Sequence, residues 1–251
     1  MNILITGSEG FIGRHLMKYL IDNRYNVKGI DRKSGEEVLG ITSKDLLNID
    51  IVVHLAAQTS VWNDDIEGIE KDNIKGFIHI FNLCRELKKR FIYASSSCSV
   101  NVTSMYGLSK KFNDDYFNIY KWKDAIGLRL HNVYGPSPRP DILLGICMNN
   151  KNILLWNNGE NTRHFTYIDD VCEAVERAFT VGGGEIYNVY NPQLSSTLEF
   201  VEEVKKYIPI NISLSPSKRD FDKDQQYIDP SLQNLIQSPT SIQDGIQRVF
   251  A

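Results

Sequence analysis

A glycine-rich turn near the amino terminus constrains the fold of this chain more than any other feature of its sequence. Its glycines stand at positions 7, 10 and 13, after the apolar run Asn2–Thr6 and before a segment with helical spacing of apolar residues. A strand that leads into such a turn lets the backbone approach a pyrophosphate, whose charge the free amides of the helix N-terminus attract. The spacing GxxGxxG alone is equally typical of an ordinary turn, so the prediction depends on its context.

Short apolar runs alternate with helical patterns throughout the first half of the sequence. Each run has few polar residues, as expected for strands that are covered on both faces. Between the runs, apolar residues recur at helical spacing, for example at Ile74, Ile78 and Phe81. This alternation predicts an α/β fold with a parallel, doubly wound sheet. The predicted strands are Asn2–Thr6, Tyr25–Asp31, Ile49–Leu55, Arg90–Ser95 and Ala125–Leu130.

The pattern changes after the proline-rich break Pro136–Pro140. The second half predicts a helix over Ile142–Asn149, a strand over Ile153–Trp156, a helix over Asp169–Thr180 and a strand over Ile186–Val189. We therefore divide the chain into a large domain at residues 1–165, residues 166–190 that pack back onto it, and a smaller region at residues 191–251.

Composition and charge argue against several classes of function. The net charge of −3 gives no broad basic field, which disfavours nucleic acid as the partner. No apolar stretch approaches the roughly 20 residues that span a bilayer, so no membrane partner is expected. The four cysteines are scattered without a CxxC pair, which predicts reduced thiols, no metal site and, by default, a cytoplasmic protein.

An acidic residue, Asp31, ends the second predicted strand, 18 residues after Gly13. A carboxylate at this position can accept hydrogen bonds from both hydroxyls of an adenosine ribose, and it repels a 2′-phosphate. This favours NAD over NADP as the cofactor, although the neighbouring Arg32 leaves NADP open. The alternative for Asp31 alone is a solvated residue of a turn.

Tyr106 and Lys110 are four residues apart, so a helix through them places both side chains on one face. A free tyrosine has a pKa of about 10, and a nearby ammonium moves that pKa toward the working range of a base. Most YxxxK matches are exposed residues of amphipathic helices. Here the run Ser95–Ser97 ends the preceding predicted strand, at the sheet edge where the glycine-rich turn also lies. We therefore predict Tyr106, Lys110 and a serine of the run Ser95–Ser97 as the catalytic centre.

Together these motifs resemble the extended short-chain dehydrogenase/reductase family, and within it the NAD-dependent epimerase/dehydratase branch. They occur in the family's order over nearly the whole chain, which is far more specific than any single motif. In chain order they are Gly7–Gly13, Asp31 after strand two, His54–Ala57 after strand four, Asn73–Gly76, Ser95–Ser97, Tyr106–Lys110, Arg129–Pro136 and Arg163–Val171. The resemblance implies a Rossmann domain at residues 1–165 that binds NAD, and a small C-terminal substrate-binding subdomain at residues 191–251.

The resemblance also implies a role for each matching residue of the cofactor site. Tyr106 is implied to be the acid/base, and Ser97 to donate a hydrogen bond to the reacting oxygen. Lys110 is implied to tune Tyr106 and to hold the nicotinamide ribose, while Asn73 supports the site next to the cofactor. The other implied cofactor contacts are Gly7, Gly10, Phe11, Ile12 and Gly13 at the pyrophosphate, Asp31 and Arg32 at the adenosine ribose, and Leu55, Ala56 and Ala57 along the groove.

The substrate implied by the resemblance is a nucleotide-linked sugar. The positions implied to bind it are Ser97, Ser99, Asn132, Arg163, Arg219 and Asp222. Of these, Arg219 and Asp222 resemble an Arg-x-x-Asp pair that helps to hold the diphosphate and the ribose. A solvated charge among polar neighbours is an equally good interpretation of Arg219.

Two departures from the family bear on the reaction. Only nine positions separate Ser97 from Tyr106, where the family has a longer loop, and this leaves a barer rim around the active site. Cys98 and Ser99 stand where the family's sugar 4,6-dehydratases have an Asp-Glu pair, so removal of water is not supported. The remaining residues support reversible oxidation and reduction at one carbon.

The sequence therefore predicts an NAD-dependent epimerase that interconverts 4-epimers of a UDP-hexose through a transient 4-keto intermediate. Tyr106 takes the proton of the C4 hydroxyl, hydride passes to tightly held NAD, and the keto sugar rotates to receive the hydride on its other face. An NAD(P)-dependent reductase or dehydrogenase of a nucleotide-linked keto sugar stays open. So does a non-catalytic dinucleotide-sensing protein, against which the intact Tyr106 and Lys110 argue. The family also implies a homodimer, with Ile74–Leu83 and Phe112–Tyr120 as candidate surfaces.

Overall fold

The computed structural model describes residues 1–62, 65–219 and 227–251. The strands in these ranges are β1 (Asn2–Thr6), β2 (Asn26–Ile30), β3 (Ile51–His54), β4 (Arg90–Ser96), β5 (Ala125–Leu130), β6 (Val133–Tyr134), β7 (Asn152–Leu155), β8 (Thr162–Arg163), β9 (Thr166–Tyr167), β10 (Glu185–Val189), β11 (Ser195–Ser196) and β12 (Asn211–Leu214). The helices are α1 (Phe11–Asp22), α2 (Ile66–Ile69), α3 (Gly76–Glu86), α4 (Met105–Tyr120), α5 (Leu143–Asn149), α6 (Ile168–Arg177), α7 (Thr197–Lys205) and α8 (Ile242–Phe250). A π-helical turn joins α2 to α3 at Glu70–Lys75, and short 3-10 turns lie at Arg32–Ser34, Val38–Gly40, Ser43–Leu46, Ser97–Ser99 and Asn157–Gly159.

Six of the strands form one sheet in the order β10-β5-β4-β3-β1-β2, and every pair in it is parallel. The predicted doubly wound sheet is therefore confirmed, and its strands lie within two residues of the predicted bounds. Because β1 pairs with β2 on one side and with β3 on the other, the strand order reverses beside β1. In sheets of this kind, ligands bind beyond the carboxyl ends of the strands at that reversal.

The motif His54–Ala57 follows the third strand of the chain, and its assignment to a fourth strand is wrong. The segment between β2 and β3 contains short 3-10 turns in place of a strand. Its last turn is closed by Asp45, which accepts hydrogen bonds from the backbone N–H and the hydroxyl of Thr42 at 2.8 and 2.7 Å. A further parallel strand needs a crossover of about a dozen residues or more, which this segment leaves no room for. Strand β2 is therefore the edge of the sheet.

Side chains of the sheet alternate between two hydrophobic cores. Ile3 and Ile5 lie in one core with α1 and α6, whereas Leu4 lies in the other with α3, and all three side chains are fully buried. Both faces of the sheet are thus covered by helices, as the unbroken apolar runs predict. The C-terminal helices α7 and α8 contribute Phe200 and Ile246 to the first core. Helices α7 and α8 therefore pack onto the same core as the sheet, and a separate substrate-binding character of residues 191–251 stays a prediction.

Candidate active site

A cavity of about 930 Å³ opens at the carboxyl edge of the sheet, beside the reversal of strand order. Its wall is built from the segments that leave β1, β2, β3, β4 and β5, together with side chains of α4 and α7. The predicted site residues on this wall are Gly7, Gly10, Phe11, Ile12, Gly13, Asp31, Arg32, Leu55, Ala56, Ala57, Ser97, Tyr106, Lys110 and Asn132. The structure thus brings the glycine-rich turn, the acidic end of β2 and the catalytic candidates to one cavity.

The glycine-rich turn forms a cradle with no space for side chains. Gly7 has a φ of 74°, and a Cβ on it would lie 2.7 Å from the backbone nitrogen of Ala56. A Cβ on Gly13 would lie 2.1 Å from the carbonyl oxygen of Gly7. Helix α1 begins after Gly10, which has no side chain to cap the first amides of the helix. This geometry fits the pyrophosphate of a dinucleotide.

Asp31 stands beside this cradle, directly after β2. One of its carboxylate oxygens accepts the N–H of Glu9 and the other the N–H of Lys33, each at 3.0 Å. A carboxylate oxygen has two lone pairs, so both oxygens retain capacity for the hydroxyls of a ribose. Arg32 lines the same end of the cavity, but its guanidinium is held by Asp72 at 2.6 Å. Because the arginine already has an anionic partner, this end of the cavity suits a free ribose better than a 2′-phosphate.

Asn73 lies behind the cavity wall on the π-helical turn and is 1% exposed. Its side chain exchanges two hydrogen bonds with the backbone of Gln58, at 2.7 and 2.9 Å, and donates to the Ser109 hydroxyl at 3.0 Å. Gln58 lies on the loop after β3, whereas Ser109 lies on α4 between Tyr106 and Lys110. Asn73 therefore joins the cofactor loop to the catalytic helix, and a direct contact with the cofactor stays a prediction.

Helix α4 carries Tyr106 and Lys110 on one face, as their spacing predicts. The hydroxyl of Ser104 accepts the N–H of Gly107 at 3.1 Å, and this cap fixes the start of the helix one residue before Tyr106. The Lys110 nitrogen lies 5.9 Å from the centre of the Tyr106 ring. The pair is therefore preserved although the loop before it is short.

Burial controls the protonation of Tyr106. Burial and the nearby Cys98 thiol raise the pKa of Tyr106 to about 12, against the opposing effects of the Ser96 hydroxyl and the Arg139 charge. The net shift is upward because the cost of burying a phenolate exceeds the opposing effects, and the prediction that Lys110 lowers this pKa stays a prediction. In the protein alone, the tyrosine is therefore protonated near neutral pH.

Lys110 is 4% exposed, and its ammonium donates to the carbonyl oxygen of Ala94 at 2.7 Å. Burial lowers the pKa of Lys110 to about 8, against the opposing effect of the Asp114 charge. His54, at the end of β3, is also buried, and burial together with the Lys110 charge lowers its pKa to about 3. The lysine is thus the cation of this pair near neutral pH, and the histidine is neutral.

The serine run crosses from β4 into the 3-10 turn Ser97–Ser99, which we call the serine turn. Ser96 ends β4, and its hydroxyl lies near enough to the Tyr106 phenol to lower the pKa of that phenol. Ser97 begins the serine turn and lines the cavity. This position is compatible with its predicted role as donor to the reacting oxygen, which stays a prediction. Sequence analysis missed Ser96, because the serine that faces the tyrosine depends on the residue at which the strand ends.

Ser99 lies behind the cavity wall. Its hydroxyl donates to the carboxylate of Asp114 at 2.9 Å, and the residue is 4% exposed. Ser99 does not line the cavity, and its hydroxyl points to the buried carboxylate of Asp114. The predicted contact of Ser99 with substrate is therefore not supported. A serine near a reactive tyrosine is thus a structural anchor here.

Arg139 is a second residue that sequence analysis missed. It lies in the proline-rich break after β6 and lines the cavity. Its guanidinium donates to the Thr59 hydroxyl on the loop after β3 and pairs with Asp141, whose Oδ1 lies 2.9 Å from Nε. The arginine therefore bridges two walls of the cavity, and its charge acts on Tyr106. The sequence feature that could have indicated Arg139 is a cation within the proline-rich loop that follows a strand, since binding residues are often found on such loops.

Three predicted substrate residues have different settings. Asn132 lines the cavity with a φ of 29°. Arg163 lies on β8, and its guanidinium donates to the carbonyl oxygen of Thr162 at 2.8 Å. Asp222 lies outside the described residues. The structure thus places Asn132 at the cavity, and the contacts of all three residues with substrate stay predictions.

Arg219 lies against two aromatic rings. Its guanidinium is 4.8 Å from the centre of a Trp156 ring and 6.0 Å from the centre of a Trp62 ring. Trp62 itself lines the cavity. Cation–π attraction to both indoles holds the exposed arginine near the rim of the cavity, so a freely solvated charge describes it less well.

Within residues 1–62, 65–219 and 227–251, no group of three or more His, Cys, Asp or Glu side chains is arranged to hold a metal ion. In the same part of the chain, no helix has both the length and the apolar content that a membrane crossing requires.

Known proteins resemble this chain over most of its length. The model of the NAD dependent epimerase/dehydratase family matches residues 3–189. A putative UDP-glucose 4-epimerase of Methanocaldococcus jannaschii is 29% identical, over 82% of this chain and 82% of that protein. A dTDP-D-glucose 4,6-dehydratase of Dictyostelium discoideum is 30% identical, over 84% of this chain and 62% of that protein. The crystal structure of UDP-glucuronic acid 4-epimerase from Bacillus cereus, in complex with UDP-glucuronic acid and NAD, has a TM-score of 0.86 and 27% identity, and covers 100% of this chain and 98% of that one.

We expect Gly13→Ala to weaken NAD binding, because its methyl group would collide with the Gly7 carbonyl and distort the cradle. Calorimetric titration of cofactor-free protein should show a rise of at least about tenfold in Kd, which corresponds to roughly 1.4 kcal/mol. Gly182→Ala is the matched control, since a Cβ there meets no atom within 4 Å. An unchanged NAD affinity in Gly13→Ala would contradict the assignment of the cradle.

Proposed function

The chain belongs to the NAD-dependent epimerase/dehydratase family, and we propose that it interconverts the 4-epimers of a UDP-hexose through a transient 4-keto sugar. Membership makes the protein an NAD-dependent enzyme of sugar nucleotides. The choice of reaction is supported by the acids of the cavity wall. The choice of nucleotide is supported by the UDP-glucuronic acid bound to the similar protein of Bacillus cereus.

The positions of the acidic residues around the cavity favour epimerisation over dehydration. A dehydratase needs a general acid that protonates the leaving hydroxyl. On the described wall, Asp141 is paired with Arg139, the position after Ser97 is Cys98, and no carboxylate perturbs the pKa of Tyr106. The other acids of that wall lie on the segment after β2 or on the π-helical turn: Asp31, Glu36, Glu37 and Asp72. Oxidation and reduction at one carbon need no such acid, so this reaction suits the wall best.

In the proposed reaction, Tyr106 and Ser97 act on the C4 hydroxyl of the sugar. Tyr106 takes the proton of the C4 hydroxyl and later returns it, while Ser97 donates a hydrogen bond to the C4 oxygen. For this role the pKa of Tyr106 has to fall from about 12. The Arg139 charge lowers this pKa, and we assign the same effect to Lys110, whose ammonium lies 5.9 Å from the centre of the ring. The glycine-rich turn and Asp31 would hold NAD, which when bound would supply the acceptor and the donor of hydride.

The nucleotide end of the substrate is assigned to Asn132, Arg163, Arg219 and Asp222. Guanidinium groups bind phosphate oxygens through paired, charge-assisted hydrogen bonds. The stacking of Arg219 on Trp156 supports this assignment, because it holds a cation near the rim of the cavity. Binding energy from a distant diphosphate can retain the sugar while its reacting ring turns over in the site.

We expect purified protein to convert a UDP-hexose into its 4-epimer when it is incubated with a panel of UDP-, GDP- and dTDP-sugars. Products are resolved by anion-exchange chromatography and identified by proton NMR. NAD should stay bound through purification, with no net change in the absorbance of reduced cofactor during turnover. Consumption of added reduced cofactor, with a reduced sugar as product, would contradict epimerisation and indicate a keto-sugar reductase.

Tyr106→Phe is the decisive variant in the same assay. Loss of a general acid/base typically lowers turnover by about 10²- to 10⁴-fold, whereas NAD binding should persist. Tyr207→Phe is the control, because this tyrosine is 42% exposed and its ring stacks on Phe250. Full activity of Tyr106→Phe would refute catalysis by this site.

We further propose a homodimer formed through α3 and α4. Helix α4 exposes Phe112, Ile119 and Tyr120 at 37, 79 and 42%, which is typical of a surface that another chain covers. The two helices are adjacent, since the rings of Phe81 and Tyr116 lie 5.4 Å apart.

Sedimentation velocity should give twice the chain mass, and Ile119→Asp should shift the protein toward the monomer. A monomeric parent protein would contradict this assembly.

The cytoplasm is the proposed compartment. The four cysteines are free thiols, and Cys84, Cys147 and Cys172 are buried, which is typical of proteins in a reducing environment. Recovery of the native protein from a secreted fraction would contradict this assignment.

A further inference from the structure

A buried carboxylate lies one helical turn beyond Lys110. Asp114 is 2% exposed, and its two oxygens accept hydrogen bonds from three side chains. The Tyr93 hydroxyl donates to Oδ1 at 3.1 Å, whereas the Ser99 hydroxyl and the Arg129 Nε each donate to Oδ2 at 2.9 Å. These donors lie on β4, on the serine turn and on β5. Asp114 thus connects α4 to three elements that border the active site.

The charges around Asp114 alternate in sign. Arg129 pairs with Asp114 on one side and donates to Asp229 at 3.0 Å on the other. Lys110 lies four residues before Asp114 on the same face of α4. A carboxylate buried this deeply is tolerated only where donors and cations compensate its charge. Asp114 is thus an anion one helical turn from the catalytic lysine, and its charge raises the pKa of Lys110 against the effect of burial.

The same helix carries a solvent-exposed copy of this spacing. Lys111 and Asp115 form an ion pair at 2.6 Å, with side chains 48 and 57% exposed. Solvent screens such a pair, whose contribution is typically below about 1 kcal/mol. Lys110 and Asp114 form no ion pair within 4 Å among the described contacts, but they are 4 and 2% exposed, so solvent screens their charges less than it screens the exposed pair.

We propose that Asp114 is a positioning residue of the catalytic centre, which anchors the serine turn through Ser99 and supplies the negative charge that faces the Lys110 ammonium. The inference rests on the proposed function, in which Lys110 acts as a cation beside Tyr106. It accounts for the orientation of Ser99, whose hydroxyl points to Asp114. It also accounts for a lysine that is fully buried among backbone and aromatic groups and still carries its proton near neutral pH.

The sign of the effect follows from the groups that face Lys110. Burial lowers the pKa of Lys110, and the Asp114 charge is the opposing influence, so loss of that charge lowers the pKa further. His54 on β3 is neutral, because burial lowers its pKa to about 3. Tyr93 on β4 and Tyr106 on α4 keep their protons, because burial raises their pKa values. None of these groups can replace the missing negative charge.

The direct test is the titration of Lys110 in NAD-loaded protein that carries ¹³C at the lysine ε-carbons. The resonance is assigned with Lys110→Arg and followed by NMR as a function of pH. In Asp114→Asn it should titrate about one pH unit or more below its midpoint in the parent protein. Asp115→Asn removes a carboxylate from the exposed copy of the spacing and should leave the midpoint in place. An unchanged midpoint in Asp114→Asn would overturn the proposal.

The pH dependence of epimerisation gives a second readout. In Asp114→Asn the alkaline limb of kcat should move to lower pH by the same amount as the lysine titration. Ser99→Ala keeps the charge but loses the anchor, so it should lower kcat without moving the limb. If the lysine titration shifts while the parent protein epimerises none of the sugars, the proposed function fails and the charge effect of Asp114 stands.

A third variant covers the case in which Asp114→Asn does not fold. Arg129→Gln removes a cation that faces Asp114 and leaves the carboxylate in place. Lys110 should then titrate at a higher pH than in the parent protein, because less of the Asp114 charge is compensated by another cation. A midpoint that stays in place or falls would overturn the proposal.

Discussion

The parallel pairing of β1 with β2 on one side and β3 on the other determines where chemistry can occur in this molecule. It reverses the strand order beside β1, so the glycine-rich turn and the loop after β3 meet at one carboxyl edge. They approach so closely that a Cβ on Gly7 would lie 2.7 Å from the backbone nitrogen of Ala56. The cofactor cradle is therefore fixed by the hydrogen bonds of the sheet, and Asn73 extends this rigidity to α4 by bonding both Gln58 and Ser109.

Burial then determines the protonation of Tyr106 and Lys110, because it disfavours the charged form of both side chains. It raises the pKa of Tyr106 and lowers that of Lys110, so the site depends on charges placed around it. Arg139 contributes positive charge from the wall of the cavity. Asp114 contributes negative charge from one helical turn beyond the lysine. A carboxylate next to Tyr106 would raise its pKa still further. The Cys98 side chain in place of an acid is thus consistent with a tyrosine that must become a phenolate.

The sheet and the catalytic helix could be predicted because they depend on local patterns. Apolar runs gave β1 and β5 at their observed bounds, and the spacing of Tyr106 and Lys110 gave their common face. The rest depends on distant contacts that spacing does not encode. Ser99 was predicted at the substrate, but it is turned to Asp114, a residue fifteen positions away. The net rise in the pKa of Tyr106 could not be predicted either, because a sequence shows which cations are near along a helix but not how deeply the phenol is buried.

The central claim is that one buried site takes hydride from C4 of a UDP-hexose and returns it to the same carbon. The most direct measurement uses a UDP-hexose with deuterium at C4 and NAD-loaded protein, with unlabelled reduced cofactor added to the solution. The epimer is then analysed by mass spectrometry and NMR. Deuterium should be retained at C4 of the product, and the added cofactor should gain none. Loss of the label from the product, to the solvent or to the added cofactor, would contradict a hydride that never leaves the site.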